Sequence, residues 1–352
     1  MRAFLGLILL LLCLGPAEAR SIGEKAVENH IRPAYERLAG AMERLRQTTR
    51  AFCVDGTKDR PALGQAFKDA VVAWAGVEHL RFGPILKDNR YERFAFWPDP
   101  KGLGLKQITA TIRSQDNAVL SEEELAAKSV ALQGLTAFEV LFWSMDAEKD
   151  ASTPGRKALV CPYAQTIAGN LVTMSAALRD EWAASDGFAA NLTAPGPEKL
   201  YHDEKEVIVE IFKAFRTGLQ QTRNLKLNRV LMGNTAEAQP RRAAFWRSGN
   251  AIAVVAANVT ALRDIFDKGG LHELVREMGE GTEKSTDDQF HLIDEALAAL
   301  ANKPIAEVTS RKNSWEKLNS VVFGLINIQK TGGDAITEAA QLPLSFNALD
   351  GD

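Results

Sequence analysis

Hydrophobic residues recur along most of this chain at the 3.6-residue spacing of helices that bury one face. The pattern predicts eight long helices, at residues 22–52, 61–82, 122–146, 158–185, 198–231, 242–268, 284–302 and 305–330. No segment keeps the two-residue alternation that is typical of a half-buried strand. The sequence therefore predicts an all-α protein.

Residues 186–197 interrupt the helical pattern with the sequence DGFAANLTAPGP, where Gly, Pro and Asn cluster. About four long helices lie on each side of this segment, which favours two fused bundles of the four-helix type. We expect residues 20–186, the first half of the chain, to form an N-terminal bundle. Residues 187–352, the second half, are expected to form a C-terminal bundle.

The first 19 residues have the features of a cleaved signal peptide. Arg2 gives a short positive start, residues 4–14 are apolar, and Ala-Glu-Ala at 17–19 is a small-x-small cleavage site. No other apolar run approaches the roughly 18 residues needed to span a bilayer. We therefore expect a periplasmic protein without a transmembrane span.

The composition excludes one large class of partner. The chain has 352 residues, a formal net charge of -3 and a pI of about 6.1. No run of Lys or Arg is long enough to make a nucleic-acid-binding stripe. We therefore expect no nucleic acid partner.

Two cysteines, Cys53 and Cys161, remain after the expected cleavage. In an oxidising compartment an even pair far apart in sequence favours a disulfide bond, although two separate buried thiols would also fit. Neither cysteine belongs to a CxxC or CxxH spacing, so the pair does not indicate a metal site.

A carboxylate lies within the apolar stripe of the helix predicted around residues 131–143. Glu139 falls between Leu135 and Phe142 on the side that should face the core. A buried carboxylate must be paired, hydrogen-bonded, metal-bound or protonated, because an unpaired buried charge is very costly. Glu139 is therefore the first candidate for a functional site.

A second carboxylate, Glu78, continues the apolar stripe of the helix predicted at residues 61–82. Glu78 follows Trp74 by one turn, and Arg81 comes three residues later, close enough to form an ion pair. Two interpretations stay open: a structural Glu78–Arg81 pair, or a polar pocket that Glu78 shares with Glu139. His79 lies beside Glu78 on the flank of the same helix.

An aromatic segment joins these two helices at residues 90–104, RYERFAFWPDPKGLG. Loops rich in Trp, Phe and Arg often carry function, which makes Trp97 and Asp99 candidates for lining a ligand site. The alternative is a lid of aromatic side chains that covers the end of a bundle.

Several short motifs together resemble those of imelysin-like proteins: Phe67-x6-Trp74, RFGP at 81–84, FWPD at 96–99, QGLTAFEVLF at 133–142, CPYAQTIAGNL from Cys161 and WRSGNAIAVVAANVTAL from Trp246. The resemblance covers most of the mature chain. It implies an all-helical fold of two bundles, exported or lipid-anchored in bacteria. It also implies a link to iron-regulated loci and a family first described as metallopeptidases.

The family signature GxHxxE corresponds here to Gly134, Thr136 and Glu139, with threonine in place of histidine. A His and a Glu three residues apart share a helical face and can share one metal ion. Thr136 supplies a hydroxyl instead, which we expect to donate a hydrogen bond to Glu139. His79 could substitute for the missing imidazole, so the expected metal ligands are Glu139, Glu78 and His79. Arg247 also matches the family pattern and could hold an acidic group.

No peptidase motif accompanies the resemblance. A zincin needs HExxH, and the nearest sequence, residues 272–276, ends in Arg276 instead of histidine. We predict no catalytic residue, and the leading hypothesis is a periplasmic binding or accessory protein linked to iron or metal acquisition. Its ligand would be iron, another divalent metal or a small iron complex, and its partner an outer-membrane receptor or another periplasmic protein. A metal-dependent hydrolase and a non-catalytic scaffold are the alternatives.

The residues expected to contribute to ligand binding are Glu139, Thr136, Glu78, Arg81, Trp74, Trp97, Asp99 and Arg247.

Overall fold

The computed structural model describes residues 20–53, 59–144 and 156–342, and within these ranges it contains helices and connecting segments but no strand. The predicted all-α class is therefore confirmed. The first half contains α1 (Ile22–Ala26), α2 (Arg32–Cys53), α3 (Arg60–Ala75), α4 (Arg90–Phe94), α5 (Leu103–Ser114), α6 (Glu122–Ala126), α7 (Gly134–Trp143) and α8 (Arg156–Ala183). The second half contains α9 (Ala189–Thr193), α10 (Glu204–Gln220), α11 (Arg229–Leu231), α12 (Ala251–Asp267), α13 (Leu271–Glu277), α14 (Glu280–Ala298), α15 (Ile305–Ser310), α16 (Lys312–Ile328) and α17 (Asp334–Ala339).

In the part of the chain that the structure describes, seven shorter segments of π or 3-10 helix connect or extend these helices. The π segments are Val27–Ile31, Gln221–Asn228 and Gln329–Gly333, and the 3-10 segments are Gly83–Asn89, Asn117–Leu120, Val130–Leu132 and Pro240–Arg242. The first of these π segments continues directly into α2, and the second continues directly from α10. Each therefore lengthens its helix and does not interrupt it.

One predicted helix, residues 122–146, is wrong as a single element, because the described part of it is divided between α6, a 3-10 turn and α7. Gln133 is extended, with φ -121° and ψ 170°, and Gly134 has a positive φ of 72°. Only glycine adopts that backbone conformation without strain. The break lets α7 begin directly against the carbonyl oxygens of Arg93 and Phe94.

The buried apolar residues form one cluster that extends through both halves of the chain. In the first half, α2 packs against α3 and α8, and α7 packs against α5 and α8. Across the halves, α3 packs against α12 and α1 packs against α10. The helices form the expected bundles, while the division of the chain into units at 186–197 stays a prediction.

A disulfide bond joins Cys53 at the end of α2 to Cys161 in α8, with 5.6 Å between the Cα atoms. The predicted pairing is confirmed, and it fixes two helices that also pack against each other along their length.

The expected signal peptide, residues 1–19, lies outside the described residues. Of the helices that the structure describes, none combines the length and the apolar character needed to cross a membrane.

Candidate functional site

A cleft of about 650 Å³ lies where both halves of the chain meet. Three segments that are distant in sequence form most of its wall: α7, the aromatic segment before α5, and the residues that precede α12. Five of the residues predicted from the sequence line it, namely Thr136, Glu139, Trp97, Asp99 and Arg247. A cavity of this volume and mixed polar and aromatic lining is typical of a small-molecule site.

Glu139 is the buried carboxylate of this cleft, with only 3% of its surface exposed. Its Oε1 accepts two hydrogen bonds from Ser248, one from the backbone N–H at 2.9 Å and one from the hydroxyl at 2.7 Å. Burial raises the pKa of Glu139, while the Ser248 donors and the nearby Arg247 partly offset that rise. The expectation that this carboxylate is buried and needs partners is confirmed.

Ser248 was not identified from the sequence, although it lies within the WRSGN stretch that carries part of the resemblance. The chain turns sharply here, with positive φ at Phe245 and Gly249, and this turn presents the Ser248 backbone N–H and hydroxyl to Glu139. Asn250 donates to the Ser248 hydroxyl oxygen at 3.0 Å, which helps to orient it. A serine in a loop has no periodicity, so no pattern marked it as the partner of a carboxylate 109 residues away.

Thr136 lines the cleft, but its predicted hydrogen bond to Glu139 is not formed. Its hydroxyl oxygen instead accepts a hydrogen bond from the backbone N–H of Phe96 at 3.2 Å. The reason is geometric: the break before α7 places this helix against the aromatic segment, where the Phe96 N–H needs an acceptor. Thr136 therefore links α7 to the aromatic wall.

The aromatic segment contributes Trp97 and Asp99 to the cleft wall. Asp99 accepts hydrogen bonds from the backbone N–H groups of Leu103 and Gly104, both at 2.8 Å, at the start of α5. These bonds satisfy N–H groups that have no partner within the helix. Asp99 therefore fixes the segment to α5, and Trp97 is held between the cleft and Lys226, whose Nζ lies 5.6 Å from the ring centroid.

Glu78 does not share this cleft. Its carboxylate forms an ion pair with Lys226, which is itself 6% exposed, and accepts a hydrogen bond from the Asn258 amide at 3.1 Å. Both sequence interpretations of Glu78 are therefore wrong. Its ion-pair partner is Lys226 and not Arg81, and its side chain does not share a pocket with Glu139. The packing of α3 on α12 decides this, since it turns Glu78, which follows the end of α3, toward the second half.

His79 is not a substitute ligand beside Glu139. Its Nε2 lies 2.9 Å from the Nε2 of His30, and both imidazoles are almost fully buried. Burial lowers the pKa of His30 to about 3 and lowers that of His79 as well, so both rings are neutral at pH 7. One neutral ring therefore donates to the other. The expected metal ligands Glu139, Glu78 and His79 are not brought together.

Two further candidates lie elsewhere. Trp74 is a core residue, 1% exposed and stacked on Phe94 with 4.9 Å between ring centroids. Arg81 is exposed, and its guanidinium carbon lies 4.4 Å from the ring centroid of Tyr91. Neither side chain lines the cleft.

The cleft contains an arginine cluster that the sequence pattern did not reveal. Four arginines line it, here called the cleft arginines: Arg229, Arg241, Arg242 and Arg247. The guanidinium carbons of Arg247 and Arg241 lie 4.6 and 5.8 Å from the ring centroid of Trp246. Among the described residues, none of the four is in an ion pair with a carboxylate within 4.0 Å.

The donors present in the cleft do not fit the metal site of a metallopeptidase. Thr136 replaces the histidine and is already an acceptor for a backbone N–H, and Oε1 of Glu139 faces two hydrogen-bond donors. Across residues 20–53, 59–144 and 156–342, no group of three or more His, Cys, Asp or Glu side chains is arranged to hold a metal ion. We therefore assign no catalytic step to a metal here.

Comparison with known proteins places this chain in a family. The Imelysin (Peptidase M75) family model matches residues 31–342. An imelysin-like protein from Psychrobacter arcticum has a similar structure, with a TM-score of 0.72 and 17% identity over 92% of this chain and 96% of that one. A candidate iron-regulated protein A precursor from Parabacteroides distasonis is also similar, with a TM-score of 0.72 and 13% identity over 90% and 94% of the two chains. A search of curated proteins found no match.

At these identities the solved structures show a shared fold, whereas the family model covers most of the chain. Thr136 and Glu139 lie within the matched residues, as do both halves of the cleft wall. The resemblance that the sequence motifs indicated is therefore confirmed, and this chain belongs to the imelysin family.

Proposed function

We propose that this chain is an exported binding protein that holds a metal ion or a small iron complex in the cleft around Glu139, as an accessory to metal acquisition. The observation that carries the proposal is the cleft itself. It collects five of the residues predicted from the sequence, and residues from both halves of the chain form its wall.

The link to iron has two supports. The resemblance of the sequence motifs implies iron-regulated loci, and one structural relative is named as a candidate iron-regulated protein A precursor. Export is supported by the signal-like residues 1–19. In the periplasm such a protein would receive its ligand from, or deliver it to, a receptor or another periplasmic protein.

Two tryptophans make ligand binding in the cleft measurable, because Trp97 and Trp246 line it and the other four tryptophans do not. The mature chain would be titrated with ferric citrate and with zinc by calorimetry, and quenching of tryptophan fluorescence would be recorded in parallel. We expect saturable binding with quenching that is largely lost in a Trp97→Phe/Trp246→Phe variant.

The matched control is Trp315→Phe, since that indole donates to the Leu231 carbonyl oxygen away from the cleft. Quenching that persists in the cleft variant but disappears in the control would place the ligand elsewhere. The absence of calorimetric binding for every probe would reject the proposal.

A metal-dependent peptidase is the alternative suggested by the family's name. We do not favour it, because Thr136 replaces the histidine of the family signature and the sequence nearest to HExxH ends in Arg276 instead of histidine. Cleavage of a generic protein substrate that a chelator abolishes would favour the hydrolase. A stable protein that binds none of the probes would favour a scaffold.

A further inference from the structure

The charge of the cleft differs from that of the chain as a whole. The chain carries a formal charge of -3, whereas the described residues that line the cleft include four guanidinium groups and two carboxylates, a balance of +2. Across residues 20–53, 59–144 and 156–342, no lysine or histidine belongs to this lining. A concentration of arginine in one concave site of an acidic protein is therefore a local feature rather than a consequence of composition.

Both carboxylates of the cleft already have hydrogen-bond donors. Asp99 accepts two backbone N–H groups at the start of α5, and Glu139 accepts the N–H and hydroxyl of Ser248. Glu139 thus joins α7 to the residues before α12, and Asp99 joins the aromatic segment to the start of α5. A bare metal ion would have to compete with these donors for the oxygens it needs.

The cleft arginines have the opposite property, because within the described chain no carboxylate lies in ion-pair contact with them. Arg241 and Arg242 are exposed at the mouth, while Arg229 and Arg247 are partly buried. Like charges held close together repel each other, so an anion that binds among them relieves this repulsion as well as forming new hydrogen bonds.

Aromatic side chains orient two of the guanidinium groups and form part of the cleft wall around them. Trp246 has two guanidinium groups near its ring, which limits the freedom of those side chains before any ligand arrives. Trp97, Phe96 and Phe245 add apolar wall to the same cavity. Clefts with walls of low dielectric constant and charges of one sign concentrate the electric field and attract ligands of opposite charge.

We propose that the cleft recognises a small polyanion, a molecule with two or more carboxylate or phosphate groups, through the cleft arginines. Iron then enters as a chelate of such an anion and not as a bare ion bound by protein carboxylates. The cavity of about 650 Å³ is large enough for a compact chelate. This inference rests on the proposed function, because it names the ligand class of the same cleft.

The test compares four probes by calorimetry on the full mature chain: citrate, ferric citrate, pyrophosphate and zinc chloride. We expect the polyanions to bind and their affinity to fall as sodium chloride is increased, because salt screens exposed charges. Tighter binding of citrate indicates a carboxylate ligand, and tighter binding of pyrophosphate indicates a phosphate ligand; either result supports the inference.

Variants separate arginine recognition from metal coordination. Arg241→Gln/Arg242→Gln changes two exposed side chains, and we expect it to weaken polyanion binding about tenfold for each guanidinium that contacts the ligand. Glu139→Gln removes a negative charge from the cleft, so it should tighten polyanion binding, whereas it should weaken binding of a bare metal ion to the cleft. Arg81→Gln is the matched control, since its exposed guanidinium stacks on Tyr91 outside the cleft.

Three results would overturn the inference, and they differ in what they mean for the proposed function. Polyanion binding that is equal in the wild type, in Arg241→Gln/Arg242→Gln and in an Arg229→Gln/Arg247→Gln variant removes the cleft arginines from recognition. Zinc binding in the cleft that is lost in Glu139→Gln, without binding of polyanions, makes the site a metal site and leaves the proposed function standing. No binding of any probe rejects both.

Discussion

Replacing Gly134 by alanine tests how the cleft is built. Gly134 is the first residue of α7 and has a φ of 72°. A Cβ atom here would lie 2.3 Å from the Arg93 carbonyl oxygen and 2.4 Å from that of Phe94, whereas real Cβ contacts essentially never fall below 3.0 Å. The aromatic segment and α7 would therefore have to move apart.

The size of the effect follows from two contributions. An alanine in the left-handed region costs about 1–2 kcal/mol relative to glycine, and overpacking against a backbone that cannot yield costs about 1–3 kcal/mol more. The lower chain entropy of unfolded alanine returns about 0.4–1 kcal/mol. We therefore expect Gly134→Ala to lower the free energy of unfolding by about 2–4 kcal/mol.

Gly102 provides the matched control, because it also has a positive φ, 62°, but nothing lies within 4 Å of its added Cβ. Gly102→Ala should therefore lower the free energy of unfolding by only about 1 kcal/mol. Both variants would be unfolded with urea and followed by far-UV circular dichroism. Equal losses for the two variants would refute the close approach at Gly134. Ferric citrate binding should weaken more in Gly134→Ala, because only that substitution forces two walls of the cleft, α7 and the aromatic segment, apart.

Three other predictions concern bonds that hold the fold and the cleft. The pKa values of His30 and His79 are lowered in the folded protein, whereas both are about 6.5 in the unfolded chain. The unfolded state therefore binds more protons below pH 6.5. The free energy of unfolding should be at its full value above pH 6.5 and should fall below it by up to about 1.4 kcal/mol per histidine for each pH unit. Urea unfolding from pH 7 to 4.5 measures this, with exposed His202→Gln as control, and a flat profile would contradict it. Ser248→Ala should lower the free energy of unfolding by about 1.5–3 kcal/mol, because Glu139 loses a hydroxyl donor. A double-mutant cycle with Glu139→Gln should show that the two side chains are coupled, and additive losses would disprove the coupling. The disulfide bond closes a loop of 108 residues, so reduction should lower the free energy of unfolding by about 4–5 kcal/mol, and an unchanged urea midpoint in reductant would argue against this.

Helical periodicity predicted the features that depend on one helix at a time. The buried position of Glu139 follows from its neighbours on α7, because residues three or four apart share a face. The disulfide bond could also be predicted, since the expected oxidising compartment and the presence of only two cysteines after the expected cleavage leave one possible pairing. These predictions need no knowledge of how the helices pack.

Features that depend on packing between helices could not be predicted in the same way. Periodicity shows that Glu78 faces the interior, but it does not show that α3 turns it toward Lys226 and not toward Glu139. Ser248 lies in a loop with positive φ on both sides, where side-chain direction follows the turn and not a repeat. Arg241 and Arg242 are adjacent, but Arg229 and Arg247 are separated from them in sequence, so no run of charge is long enough to mark the cleft arginines.

The most direct test of the ligand cleft is an anomalous difference map at the iron edge, from crystals grown with ferric citrate. We predict a peak inside the cleft, between the cleft arginines and the wall formed by Trp97 and Trp246. A peak elsewhere on the chain, or no peak at a ferric citrate concentration that saturates the protein in solution, would contradict the account.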